Sequence, residues 1–509
     1  MSATRRLTDS VVEATDSQPG LAELERGTEE ARELFEQLLA FATKEAQKQE
    51  IHEVERGIFG HLLKLGLSVL KVFLEKRGTG RSPAIKVGAG AEATRLPYHS
   101  EKPITYFSVF GKLSVPRAYF WSPTAAGEGA MPLDASLNLP DRRYSYVLQE
   151  FAELFATRDA YDKVTEILEK VLRVTFWKQG IELVVREAGA DVQQFYAQKA
   201  PPDPKTEGTI LAAGADGKGA PMRKEDREAE DEPRPKPNKG EPQSSNEKLG
   251  KKRMGIVTTV YTTDPKVRTA EEIVSALLDH EKSAKRSDPI DPKNKRVRVT
   301  FNGADAAFAE LARQVNQRDP HGTMKKVALV DGEKRLARRD EFDDWTKVLD
   351  IMHVLERLWA SSNALFGQGK PEAKAHVRET LLAILQGKVA SVIKGFEERL
   401  AHAGDALPFY RRDVVEKTVV YFGNNADRMR YDEYLSAGLP IATGVVESAC
   451  GVLVGERADK KRMLWRKAGV QSLLELRAVD QNGDWEEFCA WRTDMERERL
   501  YSTPMKATG

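Results

Sequence analysis

The chain has 509 residues with 79 Lys/Arg against 78 Asp/Glu, a formal net charge of +1. That length predicts roughly two to four structural units, and 40% hydrophobic residues supply enough core to exclude a disordered chain. The charge balance excludes a simply polybasic protein but not local basic patches, and two cysteines, Cys450 and Cys489, exclude a disulfide framework or a four-cysteine zinc module and fit a reducing compartment.

Met1 to Gly20 is polar and carries no signal-peptide apolar core. Residues 28–77 read as helical, with Val54, Ile58, Leu62, Leu65, Val69 and Val72 on one face. The most apolar stretch, Ile58 to Leu74, is interrupted by His61, Lys64 and Lys71, so it reads as too short and too charged to span a bilayer. The expectation is a soluble, cytoplasmic protein without a membrane partner. A β-hairpin is expected from Ile104–Phe110 and Lys112–Trp121, hinged at Gly111, with Pro116 holding its second half at a sheet edge. Three helices near 145–156, 159–171 and 174–193 with short connections follow, compatible with a helix-turn-helix DNA reader or with a small helical packing unit.

From 201 to 253 the composition turns to Glu, Lys, Pro and Asn, a charged loop inside a folded domain. It is bracketed by two apolar runs, Thr209–Ala215 and Met254–Tyr261, that read as buried strands. Arg296–Phe301 makes a third strand, Ala304–Gln317 a helix, and Lys325–Val330 a fourth strand. Lys347–Asp350 could add one more. The order is that of an α/β domain with a mixed sheet. Helices are expected over 352–367, 371–401 and 410–422, and over most of 444–497.

Three carboxylates stand where chemistry could use them. Asp216 and Asp331 each end a predicted strand and each precede a glycine that frees the backbone to turn away. Glu447 falls in the first turn of a predicted helix in Gly444-Val-Val-Glu447. Taken singly, an Asp-Gly pair is a turn and a Glu at a helix start matches the helix dipole. Together they are the hard-oxygen set that holds divalent cations for in-line phosphoryl transfer. Asp350 and His353 are three apart at a helix start and share a face. Asp350 also reads as an ordinary N-cap. Basic runs at Lys251–Arg253, Lys293–Arg298, Lys325–Lys326 and Arg411–Arg412 are phosphate-contact candidates. The strongest is the strip after Gly455, with Arg457, Lys460, Lys461, Arg462, Arg466 and Lys467. Trp359 reads as a core aromatic before it reads as a base-stacking one.

The segments Tyr421-Phe-Gly-Asn-Asn-Ala-Asp-Arg-Met-Arg-Tyr431 and Tyr434 to Cys450, with Arg457 to Trp465, Gly214 to Met222 and Val330-Asp-Gly-Glu333, resemble the ISKra4 group of bacterial insertion-sequence transposases. Asp350-Ile-Met-His353 is similar to the Asp-x-x-His signature of Mutator-like transposases. The resemblance implies a DDE transposase with an RNase H-like α/β catalytic domain and a mainly helical insertion. It implies Asp216, Asp331 and Glu447 as ligands of two Mg2+ ions per site, with Mn2+ substituting, and an accessory role for His353. Asp216 would bridge the ions, while Asp331 and Glu447 hold one each.

The implied organisation is an N-terminal helical region with a possible oligomerisation role (1–102), a hairpin and helix-turn-helix-like DNA-binding region (103–200), and the first part of the core with its charged loop at 223–252 (201–353). The helical insertion (354–436) and the completion of the core with the C-terminal helices (437–509) follow. Implied partners are transposon-end and target DNA, a homodimer or higher assembly contacting through residues 28–77, and a nucleoid-associated location. Alternatives left open are an RNase H-like nuclease or resolvase and a non-catalytic, transposase-derived DNA-binding protein.

Overall fold

The computed structural model describes residues 21–89, 93–123, 129–226, 252–279, 290–330, 342–403, 407–459 and 463–508. The chain forms two compact units, one from Met1–Phe195 with Asp484–Gly509, the other from Tyr196–Gly483.

The first unit opens with a helical hairpin, α1 (Leu21–Ala40) and α2 (Ile51–Arg77), packed along each other. Glu50 starts α2 with a capping box shared with Glu53. The inner face of α2 is Leu67, Leu70 and Leu74, which pack with Leu113, Val115, Leu133 and Leu139. Leu62 and Val69, on the face the periodicity singles out, are about half exposed instead. At 27 residues α2 is long and apolar enough, by length and composition, to cross a membrane, and it is the only such helix among the described residues. The bilayer requirement that Ile58–Leu74 misses is met because the helix extends beyond that stretch at both ends.

Strands β1 (Ala84–Val87) and β2 (Thr94–Glu101) pair antiparallel. The expected hairpin is shorter than its sequence pattern. β3 (Ile104–Ser108) and β4 (Gly111–Val115) pair with Tyr106 opposite Leu113. Pro116 then ends the ladder, and β5 (Ala118–Phe120) crosses to pair with β2. Helices α3 (Pro132–Leu137), α4 (Tyr146–Ala156), α5 (Tyr161–Leu172) and α6 (Lys178–Gln198) follow, the last three matching the expected triplet. Ser145 caps α4 by accepting from Leu148 N.

The second unit is built on a five-stranded sheet. β6 (Ile210–Pro221) and β7 (Lys252–Thr263) form a long antiparallel pair. α7 (Ala270–Leu278) leads to β8 (Lys293–Thr300), which pairs antiparallel with β7. α8 (Ala304–Arg318) leads to β9 (Lys325–Val330), parallel to β6, and β10 (Thr346–Leu349) adds parallel to β9. Numbered within this unit, the spatial order is 5-4-1-2-3, with only the second strand antiparallel to the rest. The mixed sheet expected from the sequence is present. Val327 to Val330 are all buried, as a parallel strand covered on both faces requires. α7 has no counterpart in the expected elements, although Thr269-Ala-Glu-Glu272 spells its capping box: Thr269 Oγ1 accepts from Glu272 N and the Glu272 carboxylate accepts from Thr269 N.

A helical layer follows: α9 (Ile351–Phe366), α10 (Pro371–Leu385), α11 (Val389–Ala403) and α12 (Phe409–Asn425). The single helix expected over 371–401 is two. Gly387 at φ 77° turns the chain in a backbone conformation that disfavours any residue with a Cβ, and the Asp432 carboxylate lies against it. Trp359 packs against the core, as an aromatic on an apolar helix face should. Short helices α13 (Tyr431–Ser436) and α14 (Gly444–Cys450), a wide turn at Gly451–Gly455, and α15 (Lys467–Gln481) complete this unit.

The segment 437–509 does not stay together. α16 (Trp485–Tyr501) and β11 (Met505–Thr508) belong to the first unit, where β11 pairs with β1 and Phe488 meets Phe195 edge-on at 5.4 Å. Arg492 of α16 bonds Glu153 at 3.2 Å and Asp191 at 3.1 Å. Burial lifts the Glu153 carboxyl to about 7 against the pull of Arg492. A carboxyl raised on folding binds more protons folded than unfolded, so its contribution is full at acid pH and is lost as pH rises towards 7. In melting curves across this range, the stability of wild type relative to Glu153→Gln should fall by up to about 3 kcal/mol. A gap that widens with rising pH refutes the assignment.

Candidate active site

β6 is where the site is assembled. Its parallel neighbour β9 pairs with it only as far as Gly214 opposite Leu329, while β7 continues to Pro221. Asp216 therefore lies mid-strand, opposite Val257, and not at a strand end or a turn as the Asp-Gly pair suggests. The physical reason is the twelve-residue pairing with β7, which keeps the backbone extended through Gly217. What does end at this point is the three-strand part of the sheet. The Gly217 N–H donates to Asp216 Oδ1 at 2.6 Å and so orients the carboxylate.

α14 packs over β6 and β7. A Cβ on Gly214 would sit 3.4 Å from Val446, so the small residues Ala212–Ala215 let the helix lie close. Glu447 thereby comes within electrostatic reach of Asp216. Burial pushes the Glu447 carboxyl up, Asp350 and Asp216 push it the same way, and Thr443 and His353 pull it back. One turn on, buried Cys450 donates its thiol to Asp216, and burial together with that carboxylate holds the thiol well above its usual range. Two of the three carboxylates singled out from the sequence are thus brought together. Asp331 lies outside the described residues; β9 ends just before it, at Val330, whose carbonyl accepts from Asp350 N at 2.8 Å.

Asp350 is fully buried at the end of β10 and saturated with donors. Its Oδ1 accepts from Met352 N (3.2 Å) and Thr443 N (3.0 Å), and its Oδ2 from Thr443 Oγ1 (2.8 Å), with His353 Nδ1 at 2.7 Å from the same oxygen. Burial works against the charge, but these bonds overcome it and hold the carboxyl below its ordinary value. The N-cap reading of Asp350 is correct and incomplete: the same carboxylate ties α9, His353 and the loop before α14 into one unit. That loop is fixed to β10 by Ile351 N donating to Ile441 O and by the Tyr431 and Tyr434 hydroxyls donating to Leu349 O and Lys347 O.

Among the described residues, Asp350, His353 and Glu447 bring ligand atoms within 4.8 Å of one another, the one such His/Asp/Glu group. Four bonds already occupy the Asp350 lone pairs, so its chemistry is that of a positioning carboxylate. The oxygens suited to a hard cation are those of Asp216 and Glu447. Burial first, and then the charges of Asp350 and Asp216, raise Glu447, and a bound cation would relieve that charge repulsion.

Two residues here escaped the sequence reading. The Thr443 hydroxyl lies between Asp350 Oδ2 (2.8 Å) and Glu447 Oε1 (2.9 Å) with one proton to share between them, a contact between distant segments that no local motif announces. Lys218 is exposed, two residues past Asp216 on the same strand, and its charge reaches Cys450; the Asp-x-Lys spacing on an extended strand was the available signal.

The basic candidates divide. Arg466 is exposed at the start of α15 and Lys467 is half-buried beside it, while Lys460, Lys461 and Arg462 lie outside the described residues. This segment is clamped to the far end of β6, with Trp465 N donating to Pro221 O and Arg223 N to Trp465 O. Arg457 does not belong to a phosphate-binding surface. It is 1% exposed, its guanidinium stacks over the Trp465 ring at 5.1 Å, and it serves as core. Arg296 and Arg298 are likewise buried, Arg298 between Glu310 and Glu475. No protein-family model matches the chain, and no curated protein matches it.

Proposed function

We propose that this chain is a DDE transposase of the ISKra4 type that cleaves and joins DNA phosphodiesters at a site on an RNase H-like sheet. The observation that carries the reading is the meeting of Asp216 and Glu447, 231 residues apart in sequence, where the first strand loses its parallel neighbour. Adjacent first and fourth strands with a carboxylate-bearing helix over them suit that domain type, and α9–α12 suit its helical insertion.

Asp216 and Glu447, with Asp331 by sequence, would hold divalent cations, Mg2+ or Mn2+, which when bound supply Lewis-acid stabilisation of the charge that builds on phosphodiester oxygens. The chain's own groups do the rest. Gly217 N–H and the Cys450 thiol fix the Asp216 carboxylate. The Thr443 hydroxyl lies 2.9 Å from Glu447 Oε1 and restrains that carboxyl. Lys218 and Arg466, both exposed, are the positive charges offered as phosphate contacts. The experiment is incubation of the full-length protein with labelled DNA carrying the element's ends and Mg2+ or Mn2+. Cleavage and strand joining are expected; neither with any divalent cation would sink the reading.

Thr443 offers a finer test. Thr443→Val keeps the shape and removes both hydroxyl contacts, whereas Thr443→Ser retains them. Mn2+ affinity, read by electron paramagnetic resonance, should weaken about tenfold in the valine variant and stay near wild type in the serine variant. Equal affinity in all three proteins would assign Thr443 no positioning role.

A further inference from the structure

The small sheet of the first unit runs β11-β1-β2-β5 and packs one face on its own core. Side chains alternate across the pleat. Ile85, Leu96 and Phe120 point into that core, so Lys86, Arg95 and Tyr119 beside them in sequence lie on the other face. Strand register then lines up the cations. Lys86 stands directly opposite Lys506 on one side and directly opposite Arg95 on the other, and all three are exposed. At the spacing of paired strands the row is about 10 Å long.

Like charges set directly opposite each other destabilise a sheet, so this row works against the fold that holds it. No acid on the same face offsets it. Among the described residues of these four strands the one carboxylate is Glu101, which pairs opposite buried Ala118 and so belongs to the core side. In a chain with 79 bases and 78 acids, a face that carries only cations is a local field suited to a polyanion.

Aromatic rings share the face. His99, exposed and four residues beyond Arg95 on β2, stands edge-on to Tyr119 at 5.7 Å and to Trp121 at 5.6 Å, and the Lys102 ammonium sits over the Tyr119 ring at 3.3 Å. Four residues of strand put the rings about 13 Å from the Arg95 end of the row. We propose that this face binds single-stranded DNA, with phosphates on Lys506, Lys86 and Arg95 and unpaired bases against His99 and Trp121. A duplex would meet the cations but keeps its bases stacked inside, and an acidic peptide or a lipid surface has no rings to set against these. Single strands carry both features, charge and exposed ring faces. Only the choice of DNA over RNA rests on the phosphodiester reading. The surface uses none of the residues of the candidate active site.

Fluorescence anisotropy of the full chain with a labelled oligothymidylate of about 20 nucleotides, in EDTA and over a series of salt concentrations, tests it. The single strand should bind at least about tenfold tighter than a duplex of the same length. Lys86→Gln, Arg95→Gln and Lys506→Gln together should reduce the slope of log affinity against log salt by about 2, three phosphate contacts at ~0.7 each. Trp121→Ala with His99→Ala should weaken binding about tenfold and leave that slope unchanged. Should that variant fail to fold, exposed His99→Ala alone should still weaken binding about fivefold. No binding of the oligothymidylate, equal affinity for the duplex, an unchanged slope in the triple variant, or tighter binding of oligouridylate would each overturn the proposal, the last assigning the face to RNA. Because EDTA removes the cations that cleavage requires, a failure of strand binding and a failure of cleavage are separate results.

Discussion

Asp216→Asn should reduce metal-dependent DNA cleavage and joining by about a thousandfold or more while leaving the melting temperature nearly unchanged. The reasoning is geometric first. Asparagine keeps the volume of the side chain and the acceptor for Gly217 N–H, and position 216 is only partly buried. What it removes is one full negative charge next to Glu447. Since the Asp216 charge helps push the Glu447 carboxyl up, the same substitution should let that carboxyl titrate lower. Carbon-13 NMR of labelled glutamate follows this without reference to activity. A downshift with full activity would keep the geometry and refute the chemistry; no downshift would refute the geometry itself.

Asp350→Ala should destabilise the second unit by on the order of 4 kcal/mol, read from its unfolding transition in denaturant. The carboxylate is wholly buried and meets the Thr443 N–H and hydroxyl, Met352 N–H and the His353 ring. Alanine leaves those groups facing a cavity that lacks an acceptor. Two consequences separate this from an ordinary core truncation. The start of α9 loses its cap, and the loop that carries Thr443 loses its tie to β10. The variant should therefore also weaken Mn2+ binding through Thr443 and Glu447. A loss below about 1 kcal/mol, the size of a lost cap alone, would show that Asp350 does no more than cap.

How much of this was legible beforehand depends on how local the signal is. The β9 strand is readable to the residue, because four consecutive apolar residues preceded by two lysines and ended by Asp-Gly have few other uses. The α4–α6 triplet was readable for the same kind of reason. α7 was missed although its capping box is written in four residues. The single helix expected over 371–401 is two: an apolar period continues across Gly387, whose positive φ breaks the helix. The β3–β4 hairpin was overextended because Ala118–Phe120 has the composition of a strand whichever partner it takes.

The site divides along the same line. Residue types and order alone marked Asp216, Glu447, Asp350 and His353 as worth attention, since carboxylates followed by glycine or set at helix starts carry a local signature. Charge alone marked Arg457 as a phosphate contact, and burial reverses that, because a guanidinium sealed against Trp465 cannot reach a phosphate. Only the tertiary structure decided that Asp216 sits within a strand and that Thr443 links two carboxylates. It alone sent the last helix and strand back to the first unit. Each of these depends on pairing between segments tens to hundreds of residues apart, whose energy no single segment contains. Composition and local period determined which elements form and what chemistry the chain could hold; long-range packing determined which of those groups meet.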